Sequence, residues 1–73
     1  MNEKDVARAV REVSLELVPE KASQPYDSWV VNPMAVWNAL QRRRPDVARH
    51  IAKRYAGDPY QNVKRWVPER TTG

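Results

Sequence analysis

Apolar positions recur along this chain at helical intervals, and prolines divide the pattern into segments. Val6, Val10, Val13 and Leu17 follow one another at steps of four, three and four, and Ala9 widens the stripe. That spacing marks one face of an amphipathic helix. Arg8, Arg11, Glu12 and Glu16 fall off the stripe, Asn2 supplies a capping side chain, and Glu3 and Asp5 oppose the positive end of the helix dipole. A helix over 3–16 is predicted. Leu15 points away from the stripe, and Val13-Ser14-Leu15-Glu16-Leu17 alternates as a strand would, so 13–17 reads both ways. Pro19 ends the element in either case.

Past residue 31 the punctuation is regular. Asn32-Pro33 sets a cap directly before a proline suited to the first helical turn, and Val36, Trp37 and Leu40, flanked by Met34 and Ala39, form an apolar face. Pro45 breaks this helix at Arg44 and opens the next, whose stripe is Val47, Ala48, Ile51, Ala52 and Tyr55. Gly57 suits the left-handed residue that closes it. Asp58-Pro59 starts a last helix bearing Tyr60, Val63, Trp66 and Val67, which Pro68 stops. The expectation is a mainly α single domain over 1–73. An amino-terminal helix precedes a linker or extended arm over 19–31 and a compact three-helix unit over 32–67, with a loose tail over 68–73. Within the unit the helices span about 33–43, 45–56 and 59–66 by their start and stop signals. The expected shared core is Trp37, Leu40, Val47, Ile51, Tyr55, Val63 and Trp66.

Composition narrows the function classes. At 73 residues and 41% hydrophobic, the chain can bury only about 60% of its unfolded surface, enough for one small core but not for an enclosed active-site cavity as well. The absence of cysteine removes disulfides and thiolate metal sites. His50 is the only histidine, and it lies among Arg49, Lys53 and Arg54. No serine has a histidine near it in sequence, and no carboxylate pair or metal-ligand spacing stands out. Catalytic residues, metals, cofactors and a small-molecule substrate are therefore not expected. Neither a membrane span nor a secretory signal is expected, since acids are scattered through the first twenty residues. A cytoplasmic location is the expectation.

Charge points towards binding. The first twenty residues carry three bases against five acids, and residues 21–73 carry ten bases against four acids, so −2 gives way to +6. Arg42, Arg43, Arg44, Arg49, Lys53 and Arg54 span one helix end and a face of the next, with Lys64 and Arg65 beyond. Packed closely, they would form one positive surface. Such a surface suits nucleic-acid phosphates, with a steep salt dependence, or an acidic protein; it also suits nothing more than solvent. Tyr26 and Trp29 in the irregular segment are either aromatic anchors for a partner or, for Trp29, a cap on the small core.

Residues 33–56 also read as a helix-turn-helix, although the second helix offers only Arg, Lys and His outward, which favours phosphate contact over base readout. Trp37-Asn38, the arginine run and Val63-Lys64-Arg65-Trp66-Val67 resemble phage excisionases, but those have a β-wing after the recognition helix. Over the whole chain, Asn32-Pro33-Met34-Ala35-Val36-Trp37, Arg42-Arg43-Arg44-Pro45-Asp46 and Val63-Lys64-Arg65-Trp66-Val67-Pro68 resemble small transcription regulators of Xanthomonas lytic phages. This resemblance implies binding to the β and β′ subunits of the host bacterial RNA polymerase. It further implies σ displacement at initiation, antitermination during elongation, and action in the host cytoplasm near nascent RNA or DNA.

Overall fold

The computed structural model describes residues 1–68; the expected tail, beyond Pro68, lies outside the described residues. Four α-helices follow in order: α1 (Glu3–Leu17), α2 (Pro33–Arg43), α3 (Pro45–Arg54) and α4 (Pro59–Val63). Two 3₁₀ turns, Pro19–Lys21 and Tyr26–Ser28, sit between α1 and α2. Among the described residues there is no strand, so 13–17 resolves as helix.

Local chemistry sets the starts. Asn2 Oδ1 accepts from the Asp5 N–H at 2.9 Å, and the Asp5 carboxylate accepts from the Asn2 N–H at 3.3 Å, a reciprocal capping box. Asn32 caps α2 through the Met34 N–H at 2.9 Å, and Asp58 caps α4 through the Tyr60 N–H at 3.0 Å. The ends depend on distant groups. The Asn62 side-chain amide donates to the carbonyls of Tyr55 and Ala56 at 3.4 and 3.3 Å. Carbonyls at a helix end need such donors, and α3 stops at Arg54, short of the expected residue 56. Gly57 has φ +98°, the left-handed backbone expected of it, but in the link after the helix rather than at its last turn. The last helix is likewise shorter than expected, with turns after Val63.

Helix α2 packs against α1, α3 and α4 and is the centre of the fold. Val6, Ala9, Val10 and Val13 of α1 meet Val36, Ala39 and Leu40 of α2, Val47, Ala48 and Ile51 of α3, and Val63 in one core. Each fully buried valine, leucine or isoleucine side chain stabilises by about 1.5–3 kcal/mol. Ser14 is also buried in this face, where its hydroxyl donates to the Val10 carbonyl at 2.7 Å and so avoids an unmet polar group. Of the expected core, Leu40, Val47, Ile51 and Val63 are buried, whereas Trp37, Tyr55 and Trp66 are only partly so.

Of the two readings of 19–31, linker and packed arm, its later residues follow the second. Trp29 and Val31 are core residues, Trp29 at 1% exposure. The Trp29 indole N–H donates to the Gln24 carbonyl at 3.0 Å, and its ring meets Tyr26 edge-on at 5.0 Å. The Tyr26 hydroxyl donates to the Trp66 carbonyl at 2.8 Å, tying the segment to the far end of the chain. The Cα radius of gyration, 11.7 Å, is close to the roughly 11 Å of a compact chain this long. Helix α1 and the turns thus belong to the same body as the carboxy-terminal helices. No helix among the described residues is long and apolar enough to cross a membrane.

Candidate functional site

Two of the arginines expected on one positive surface are paired with acids of this chain. Arg43 turns back to α1 and pairs with Glu16 at 2.8 Å. Arg44, the one residue between α2 and α3, forks onto Asp46 through Nε at 3.2 Å and through a terminal nitrogen at 3.1 Å. It also lines a polar cleft with Asp5, Arg8 and Glu12 of α1. Part of the anionic partner implied by the charge asymmetry is therefore this chain's own first helix. Pairs this exposed add little stability; their effect is to neutralise two of the three consecutive arginines.

Protonation follows from that geometry. The Arg44 fork holds the Asp46 carboxyl below its ordinary range, and Asp46 in turn raises the Arg44 guanidinium. Asp46 is depressed in the folded chain, so its contribution is present above the ordinary carboxyl value and lost as pH falls through the lowered one. An NMR titration of the Asp46 carboxyl carbon is expected to give a midpoint below the ordinary aspartate value, and Arg44→Gln to restore it. An ordinary midpoint in the parent chain would show the fork to be unpopulated.

The remaining cations separate. Arg42 stands five residues after Trp37, about 140° away around α2, exposed and outside the lining of the groove described below. Arg54 lies 5.6 Å and Arg65 4.7 Å from the centroid of the Tyr55 ring, which Trp66 meets edge-on at 5.5 Å. The Tyr55 hydroxyl donates to the Glu3 carboxylate, and that bond, followed by desolvation, raises the phenol above its ordinary value. Lys64 lies over Tyr60 at 5.1 Å. These stacked cations form a second group at the α3–α4 end.

Arg49 and Lys53 remain on the outer face of α3, one turn apart, with no ion pair or hydrogen bond among the described residues. Beside them α2 and α3 enclose a shallow groove of about 260 Å³ lined by Trp37, Gln41, Pro45, Ala48, Arg49 and Ala52. The sequence pattern assigns Trp37 wholly to the core because it lies on the apolar stripe. The groove depends on how two helices splay, and periodicity carries no record of that. Ala48 and Ala52, four apart and facing a tryptophan, are its only trace in the sequence.

Of the two possible aromatic anchors, Trp29 follows its core reading. Trp29 is enclosed, and Tyr26 is half-buried with its hydroxyl engaged. Burial raises the Tyr26 phenol above its ordinary value, against the lowering influence of Ser14 and of Arg11, whose guanidinium lies 5.7 Å from the ring centroid. Compared with known proteins, the chain matches no family model, no curated protein and no solved structure.

Proposed function

We propose that this chain is a phage-type transcription regulator that binds host bacterial RNA polymerase through its β and β′ subunits. It inhibits initiation by displacing σ and promotes antitermination, acting by occupancy of a surface rather than by chemistry. The observation that carries this reading is the α3 face, where unpaired Arg49 and Lys53 adjoin an apolar groove. Mixed apolar and polar surface of this kind suits a protein partner. Arg54, Lys64 and Arg65 at the other end act on emerging RNA by charge. The whole-chain resemblance noted above supplies the identity of the partner.

Duplex DNA is the poorer fit. A helix-turn-helix joins its helices by a turn of 3–4 residues, whereas α2 and α3 are separated by Arg44 alone. No strand among the described residues provides an excisionase wing, and two of the arginines expected to meet phosphates are paired with this chain's own acids.

Purified core polymerase, nuclease-treated, is mixed with the chain at about 150 mM salt and resolved by gel filtration, with σ-dependent run-off and terminator readthrough assayed in parallel. Co-elution, loss of run-off product and increased readthrough are expected. Failure to co-elute, with specific retention of a labelled duplex at the same salt, would replace this reading with DNA binding.

A further inference from the structure

We infer that the α2–α3 groove is a docking site for an acidic protein segment carrying one bulky apolar side chain. This deepens the polymerase-binding reading and rests on it for the identity of the partner; the chemistry of the groove is independent of that identity. Three features converge on the same face. The groove offers the partly buried flank of Trp37 opposite Ala48 and Ala52, whose methyl groups let a second chain approach the α3 backbone closely. Trp37 makes no hydrogen bond among the described residues, and no buried side-chain nitrogen there lacks a partner, so its indole N–H is open to solvent. Trp29, by contrast, donates to Gln24.

Charge selects the occupant. Arg49 lines the groove, and Lys53 lies one turn along the same helix. Neither has an acidic partner among the described residues, whereas Arg43 and Arg44 are each held by a carboxylate of this chain. Asp46 is the one acid on α3, and Arg44 occupies it. The groove therefore presents an apolar floor bordered by two positive charges that have no acidic partner among the described residues. A carboxylate on either side of a leucine-like side chain would meet the floor and both charges. A phosphate backbone would meet the cations but leave the apolar floor uncovered.

The probe is a blocked peptide of about ten residues, mostly glutamate with one central leucine, titrated into the ¹⁵N-labelled full chain. Expected are shifts of the Trp37 indole N–H and of the Ala48–Lys53 amides, with the Trp29 indole unmoved. Ala52→Glu, at an exposed position, and the pair Arg49→Glu and Lys53→Glu should each weaken binding at least about tenfold, since each 1.4 kcal/mol is a factor of ten. Arg42→Glu, outside the groove lining, should leave it unchanged, and an all-glutamate peptide should bind at least about tenfold more weakly.

Equal weakening by Arg42→Glu, an unmoved Trp37 indole, or a uridine oligonucleotide that shifts the same signals while the peptide does not would overturn the proposal. The two readings separate cleanly. Peptide binding without polymerase binding leaves the groove assignment standing and removes the polymerase. Polymerase binding that survives Ala52→Glu does the reverse.

Discussion

Trp29→Ala is expected to cost about 3–5 kcal/mol, the usual penalty for truncating a buried tryptophan. A domain of this length has roughly 4–11 kcal/mol in total, so the variant should be largely unfolded or melt far below the parent. The side chain is 1% exposed, its N–H is bonded to Gln24, and it supports Tyr26 edge-on. Tyr26 in turn reaches the Trp66 carbonyl, so one truncation loosens both the turn segment and its tie to the carboxy-terminal end. Trp37→Ala is the matched control, because that ring is only partly buried, and it should keep most of the parent's stability. Thermal and urea unfolding followed by circular dichroism decide the matter. Equal losses in the two variants would mean that residues 19–31 do not fold onto the helices.

Leu40→Ala comes next, at about 2–5 kcal/mol. In a chain of this size, 1 kcal/mol moves the melting temperature by about 4–8 °C, so a fall of at least about 8 °C is expected. Leu40 is fully enclosed on the helix that touches every other helix. The loss should therefore appear as one cooperative transition with an unchanged denaturant slope. Separate melting of α1 would show that α2 does not bind the fold into a single unit.

The sequence was most informative where the physics is local. Asn2, Asn32 and Asp58 cap helices because a short polar side chain reaches an N–H two or three residues ahead, and Pro33, Pro45 and Pro59 each sit at a first helical position. The stripe of Val6, Val10 and Val13 is buried as its spacing predicts, and it overrides the strand-like alternation through Leu17. What lay beyond reach depends on residues far apart in the chain. Glu16 neutralises Arg43 from 27 positions away, and the carbonyls past Arg54 are taken by Asn62. Trp29 could be an anchor or a core residue until the path of 19–31 was known. The candidate site was legible in part: Arg49 and Lys53 were picked out by type, but the groove beside them arises only from the disposition of two helices. The arginine run read as one patch, whereas residues adjacent in sequence do not share a face on a helix.

Arg44 closes α2 with its N–H, 2.8 Å from the Leu40 carbonyl, and opens α3 with its own carbonyl, 3.0 Å from the Ala48 N–H. One residue completes two helices, so the angle between them is set at the φ and ψ of Arg44. A link this short, with its N–H and its carbonyl both bonded into helices, favours docking of the proposed segment with little change in the angle between them. Selectivity then lies in whether the incoming surface already has the complementary shape, and little ordering entropy is lost on this side of the complex.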